Sequence, residues 1–320
     1  MNQRIKPISI WAVVIMADFL IACVCVELWV RLFVPVKNVQ YILDNKLGVR
    51  FAPNQQAYGY VEEGYSNILL TNRLGMHDVE RNLEKSVNSY RVQVYGDSMI
   101  SGIGVKIEET IPSYLEKFMN EYNRLERIEV MNMASGDDGT PSQLLAYEEI
   151  GRRFSPDLVV CFFMDDFADN IIETHIRDYS PHYDIDDGGE LRLIPPKPKD
   201  VSTVWEQFKK KSFLYRQLAN KLIESKKYRD LLDLYDNLFS PYGDSKLGLD
   251  SFAEYRKDVC LKKALPVTLN LIRRFRDVVE KDGVRFVVMD GYKFRDEYVG
   301  TVFLNNDFEQ FCRANSIAYI

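Results

Sequence analysis

Between residues 91 and 163 short apolar runs alternate with amphipathic stretches. Arg91 to Tyr95 (RVQVY) stops at Gly96-Asp97-Ser98, Ile128 to Ala134 (IEVMNMA) stops at the loop 135–142, and Asp157 to Phe163 (DLVVCFF) closes on Met164-Asp165-Asp166. Apolar runs of this length bounded by turn residues predict strands. The segments between them, Glu108 to Tyr122 and Gln143 to Arg153, carry apolar side chains at helical spacing. Further along, Pro266 to Lys281 predicts a helix ended by Asp282-Gly283, Val284 to Met289 a fourth strand, Asn305 to Asn315 a last helix, and Ser316 to Ile320 the opening of a fifth strand. Strands apolar throughout and separated by helices predict a parallel sheet covered on both faces. The expected class is α/β, a three-layer parallel sheet with helices on both faces.

Three regions lie outside this rhythm. Residues 37–90 mix short apolar pieces with Asn, Gly and Gln, and predict a lead-in of little regular structure that wraps the sheet edge. Between residues 171 and 265 the pattern breaks at Pro195-Pro196-Lys197-Pro198, and helical stretches at Val204 to Lys227 and Tyr228 to Leu238 read as a helical cap insertion. From Ile8 to Val36 the chain is almost continuously apolar. As a helix it is long enough for a hydrocarbon core of about 30 Å, which needs about 20 residues. The expected organisation is an N-terminal transmembrane anchor over 1–36 and one interrupted domain over 37–320.

The anchor has polar flaws at Asp18, Glu27 and Arg31. A carboxylate at mid-bilayer costs about 2.5–3.5 kcal/mol, which the surrounding Ile, Val, Leu, Phe and Trp offset. Arg4 and Lys6 before the run favour an inside amino terminus and an extracytoplasmic body. Two alternatives stay open. Leu20-Ile21-Ala22-Cys23 has the look of a lipoprotein processing box, although the sequence stays apolar after it, and an amphipathic helix packed on its own domain would suit Asp18 better.

Composition narrows the function classes. The chain has 320 residues, a formal charge of −6 and 46% hydrophobic residues, enough apolar mass for a large core and no sign of a disordered chain. Its acidic balance argues against a broad nucleic-acid-binding surface. The five Cys form no CxxC pair, so neither a zinc finger nor a disulfide framework is indicated. Only three His occur, His77, His175 and His182, which leaves little room for a His-rich metal centre. Asp184, Asp186, Asp187 and Glu190 form an acidic turn without the spacing of a calcium loop, and a solvated face is expected there.

In open parallel α/β sheets ligands bind beyond the carboxyl ends of the strands. The candidate site is therefore the loops Gly96 to Ser98, Ser135 to Thr140 and Asp165 to Asn170. A Ser directly after a strand can open a helix, where backbone N–H groups face an oxyanion. The same Gly-Asp-Ser pattern also serves as a simple cap.

Here a family resemblance enters. The segment VQVYGDSMISGIGVKIEETIPSYLE resembles the first block of the SGNH or GDSL-type hydrolases, VMNMASGDDGTPSQ resembles the second and PDLVVCFFMDDFADN the third. The resemblance implies an SGNH-hydrolase or flavodoxin-like sheet, with Ser98 as nucleophile and as an oxyanion-hole donor through its N–H. Gly136 is the best match for a second N–H donor and Gly139 a poorer one. Asp165 stands where the family has an Asn, and an ionised Asp accepts hydrogen bonds but cannot donate to an oxyanion. Asp97, Asp137, Gly139 and Asp166 are candidate substrate contacts on the same loops, and Asp166, Asp169 and Asn170 are expected to hold the third loop.

The larger departure is the general base. The family carries a His in a DxxH block after the fifth strand; no DxxH occurs here, and the sequence stops as that strand opens, which reads as a truncation. His175 is the remaining candidate for a substitute base. His77 and His182 read as hydrogen-bonded structural residues. Two functions are expected on these grounds. One is a membrane-anchored ester hydrolase or acetyl-ester hydrolase or transferase acting on a small ester or acetylated saccharide through Ser98. The other is an inactive or truncated relative that binds carbohydrate or protein through the same loops. Neither calls for a cofactor or a metal, and a purely scaffolding envelope protein is a weaker third reading.

Overall fold

The computed structural model describes residues 10–33, 39–58, 68–122, 126–135, 139–163, 167–171, 179–197, 260–291 and 305–320. The chain divides into two units, residues 1–36 with 200–249 and residues 37–199 with 250–320. In the first unit the described element is α1 (Ile10–Phe33). Its apolar side chains Ile15, Phe19, Leu20, Val24 and Trp29 are exposed. Among the described residues no helix is long and apolar enough to cross a membrane, so the transmembrane helix expected over 8–36 is not among the elements found. Asp18 and Glu27 interrupt the apolar sequence of α1. The helices expected at 204–227 and 228–238 lie outside the described residues.

The second unit opens with two antiparallel hairpins, β1 (Tyr41–Asp44) with β2 (Gly48–Phe51) and β3 (Gln56–Tyr58) with β4 (Ile68–Leu70). These replace the irregular lead-in expected there. A side chain sets the first turn: Asp44 Oδ1 accepts the N–H groups of Lys46 and Leu47 at 2.8 and 2.9 Å, an Asx turn that hydropathy does not reveal. Then follow β5 (Ser89–Tyr95), α2 (Ser98–Ser101), α3 (Ile111–Tyr122), β6 (Arg127–Asn132), α4 (Thr140–Glu149) and β7 (Leu158–Phe163). A hairpin of β8 (His182–Ile185) and β9 (Leu191–Ile194) precedes α5 (Leu265–Lys281), β10 (Arg285–Asp290), α6 (Asn305–Ala314) and β11 (Ala318–Tyr319).

The five expected strands form one sheet in the order β11-β10-β7-β5-β6, and every pairing is parallel. From β5 the chain steps outward to β6, then returns past β5 to β7 and continues through β10 to β11. The order therefore reverses between β5 and β7. Alternate side chains feed two cores, as the period of two in a strand requires. On one face Tyr95, Val159, Cys161, Phe163 and Val288 pack with Leu144 and Tyr147 of α4, Leu271 and Phe275 of α5, and Phe308 and Cys312 of α6. On the other Val92, Val94, Val130, Val160 and Phe162 pack with Ile100 of α2 and Leu115 and Met119 of α3. The three-layer α/β arrangement is thus present. Cys312 lies deep in the first layer, and burial, reinforced by Asp290 and Glu309, pushes its thiol up to about 12.

At one edge of the sheet β6 has no strand beyond it among the described residues, and side chains cover its outer backbone groups at every second residue. Asn120 of α3 accepts the Ile128 N–H at 3.0 Å and donates to the Ile128 carbonyl at 2.8 Å. Glu116 accepts the Val130 N–H at 2.7 Å, Arg81 donates to the Val130 carbonyl at 2.9 Å, and Asp78 accepts the Asn132 N–H at 3.1 Å. Arg81 also bridges Asp78 and Glu116. Burial pushes the Asp78 carboxyl up from its ordinary range, against the pull of Arg81 and of the two backbone donors. This is the protection an unpaired edge needs against pairing with another chain.

Toward the amino ends of the strands, Arg91 is 1% exposed. It bonds Glu129, its register partner on β6, through Nε and Nη2 at 2.9 and 2.7 Å, and donates to the carbonyls of Leu83 and Phe154. Removing one member of such a buried pair strands the other. Arg91→Met should lower unfolding free energy by about 3–5 kcal/mol, read as a lower urea midpoint; a change under about 1 kcal/mol would show that solvent reaches the pair.

Candidate functional site

Helices after β5 and β7 lie on opposite faces of the sheet, α3 in one layer and α5 in the other. The strand order reverses between these two central strands, and at such a reversal α/β sheets have a crevice beyond the carboxyl ends, the usual ligand position. The Gly96-Asp97-Ser98 loop stands on the β5 side of that crevice. On the β7 side, Asp165 and Asp166 lie outside the described residues, as do Gly136, Asp137 and His175.

Each residue of the β5 loop has a separate physical job. Gly96 is buried, and a Cβ there would collide with Cγ1 of Ile100 and lie 3.2 Å from Cβ of Phe162. Only a residue without a side chain lets α2 fold back so tightly on the strand. Asp97 is the N-cap of α2, its Oδ1 accepting the Met99 N–H at 2.9 Å. Ser98 is the first residue of the helix and is exposed. Its carbonyl accepts the Ser101 hydroxyl at 2.9 Å and the Gly102 N–H at 3.1 Å, while its own hydroxyl bonds no other described residue. Its N–H belongs to the first N–H groups of a helix, which have no intrahelical acceptor. Gly102 ends the helix at φ 70°, a left-handed conformation that favours glycine.

Asn132, at the end of β6, anchors this turn from below. It is 1% exposed, and its Nδ2 donates to the carbonyls of Ile100 at 3.0 Å and His77 at 3.2 Å. Its Oδ1 accepts the Ala134 N–H at 3.2 Å. In the sequence Asn132 is one residue of the second apolar run, Ile128 to Ala134. Its role as the tie between β6, α2 and the lead-in has no sequence signal, because its partners are backbone carbonyls about 30 and 55 positions away.

The other described loop residues are structural in their contacts. Gly139 is the N-cap of α4, and a Cβ there would lie 3.3 Å from Asn170 Oδ1. Asn170 is fully buried, accepts the Thr140 N–H at 3.1 Å and donates to Thr268 at 2.8 Å. It therefore ties α4 to α5. His77 is fully buried, Nδ1 at 2.7 Å from the Leu70 carbonyl and Nε2 at 3.1 Å from the Val105 carbonyl. His182 is buried on β8. In the acidic turn Asp186 Oδ1 accepts the N–H groups of Gly188 and Glu190, and Asp184 pairs with Arg192, which holds its carboxyl below the usual range. The turn is a side-chain-stabilised hairpin.

One acidic group at the carboxyl edge of the sheet escaped the sequence reading. Asp290 ends β10, is 4% exposed and accepts a hydrogen bond from the Tyr319 hydroxyl. Burial, then that bond, pushes the Tyr319 phenol above its ordinary value. The available signal was an Asp immediately after an apolar strand, as Asp97 almost is after β5. Beside Ser98 lies an open cavity of about 380 Å³, lined by Ser98, Met99, Gly102, Ile103, Val105, Glu109, Thr110 and Ile111.

Comparison with models of known protein families and with curated proteins found no match. The site is therefore read from its own geometry. Gly96→Ala should displace α2 and lower stability by about 1–3 kcal/mol, the usual range for overpacking, measured by urea unfolding; an unchanged midpoint would mean that Ile100 yields freely.

Proposed function

We propose that the protein is a serine ester hydrolase, or an acyl transferase of the same chemistry, with Ser98 as nucleophile. The observation that carries this reading is the placement of Ser98: exposed, first in α2, directly beyond β5 at the reversal of strand order, its hydroxyl unengaged among the described residues and facing a cavity of ligand size. Its Oγ would attack the ester carbonyl carbon while its proton passes to a base, and the tetrahedral oxyanion would meet the Ser98 N–H. Collapse expels the alcohol with a proton, and water or a second alcohol then takes the acyl group. The likeness of three ordered loops to SGNH-type hydrolases supports the same assignment, with Gly136 as second donor and Asp165 in the place of its Asn.

A second reading has its own observation. A Ser hydroxyl is a weak nucleophile without an adjacent base, and neither described His bonds Ser98: His77 lies between two carbonyls and His182 is buried on β8. That favours a relative that binds carbohydrate or protein through these loops without turnover. A fluorophosphonate probe and p-nitrophenyl acetate separate the two. The hydrolase reading expects labelling and turnover that fall to background in Ser98→Ala; intact Ser98→Ala activity, or none in the wild type, sinks it. If Ser98 reacts and His175→Ala leaves the rate unchanged, His175 is not the base.

The same proposal places the body beside a membrane, attached through residues 8–36 with the domain on the extracytoplasmic side. The exposed apolar side chains of α1 support it, since about 25 cal/mol per Å² favours removing them from water. The full chain should stay with membranes through alkaline carbonate extraction, whereas a chain beginning at Lys37 should be released. Release of both would remove the anchor from the reading.

A further inference from the structure

His77 presents both ring nitrogens to acceptors. It is fully buried, with Nδ1 at 2.7 Å from the Leu70 carbonyl oxygen and Nε2 at 3.1 Å from the Val105 carbonyl oxygen. A carbonyl oxygen has lone pairs and no proton to give, whereas a neutral imidazole carries one N–H and one lone pair. In either neutral tautomer one nitrogen therefore turns its lone pair to a carbonyl lone pair, away from water. Only the doubly protonated ring donates to both oxygens. A buried charge is costly without compensation, and two charge-assisted bonds, stronger than neutral ones, offset that cost.

The charged groups on the neighbouring segments are turned to other partners. Asp78, next in the chain, accepts from Arg81 and from the N–H groups of Val79 and Asn132. Arg81 is shared with Glu116 of α3, and Arg50 of β2 donates to the Leu74 carbonyl. Lys106, Glu108 and Glu109, which follow Val105, are exposed. The bonded partners of the His77 ring among the described residues are the two carbonyls.

The two bonds hold different parts of the chain. Leu70 is the last residue of β4 in the lead-in, whereas Val105 lies on the loop after α2 and lines the cavity beside Ser98. Just before Val105, Gly102 at φ 70° and Gly104 at φ 104° flank Ile103, so this backbone has the conformational freedom of glycine. The Val105 N–H bonds the Gly102 carbonyl within the same loop. The bond from His77 Nε2 is what joins that loop to the lead-in at this point.

We propose that His77 is a cationic clamp: with a proton on each nitrogen it ties the Val105 wall of the cavity to the lead-in, and loss of the Nε2 proton as pH rises releases that wall. The shorter Nδ1 bond is kept by the neutral ring. The fold favours the form that donates twice, so the tie is complete at acid pH and is lost as the folded ring gives up its second proton.

Two-bond 1H–15N spectra of the 15N-labelled full chain report the protons on each ring nitrogen, with His77 assigned by through-bond correlation to its backbone. At about pH 5.5 both nitrogens should be protonated, and by about pH 8.5 Nδ1 alone. Over the same range the exchange protection of the Val105 amide, corrected for the intrinsic effect of pH, should fall at least about tenfold while amides of β7 keep theirs. In His77→Gln, whose side chain does not titrate, this pH dependence should vanish. A single ring proton at every pH where the chain is folded would overturn the cation. Loss of the Nε2 proton with Val105 protection unchanged, or the same pH dependence in His77→Gln, would overturn the clamp. The wild-type spectra decide the protonation state even if the variant fails to fold. None of these readouts uses Ser98 or a substrate, so they stand apart from the hydrolase reading.

Discussion

Among the described residues the parallel sheet ends at β6, leaving one row of N–H and C=O groups without a strand partner, and side chains of α3 and the lead-in answer them. Asn120 and Glu116 come from α3, Asp78 and Arg81 from the lead-in, and together they meet Ile128, Val130 and Asn132. Buried backbone groups without partners are costly, so these bonds hold α3 and the lead-in in place against the same strand. The last residue of that strand then turns inward. Asn132 spends its side-chain amide on the carbonyls of α2 and the lead-in, so the covering of the edge and the placing of Ser98 form one continuous hydrogen-bonded structure.

Ser98 inherits its position from these constraints and from a steric one. The missing side chain at Gly96 lets Ile100 close over the sheet, and Asp97 caps the short helix that Ser98 begins. In this arrangement the Ser98 hydroxyl stands at the head of the turn and bonds no other described residue. The polar pair Arg91 and Glu129 lies toward the opposite end of the strands. One end of the sheet is thus consolidated by a buried ion pair, and the other carries the loops from which α2 and α4 start.

The strands were legible because each is a run of apolar residues with a turn at its carboxyl end, and a strand buried on both faces needs little else to declare itself. Glu108 to Tyr122 and Pro266 to Lys281 declared themselves by helical spacing. The lead-in did not, because its hairpins are short and its first turn is set by Asp44 accepting two backbone N–H groups. The acidic stretch from Asp184 to Glu190 showed charge but not pairing, and the pairing of Asp184 with Arg192 across the β8 hairpin is what organises it. Over residues 8–36 the apolar sequence carries Asp18 and Glu27, and among the described residues no helix is long and apolar enough to cross a membrane.

What the sequence by itself determined is the alternation of strand and helix, the parallel sheet, and the small polar loop that brings a Gly, an Asp and a Ser together after the first strand. Those features are local, because hydropathy period and turn chemistry act over a few residues. The order β11-β10-β7-β5-β6, the crevice at the reversal and the tie from Asn132 were decided only by the tertiary structure. Each depends on groups from distant parts of the chain meeting, and which polar group finds which partner is set by packing geometry that no local pattern encodes.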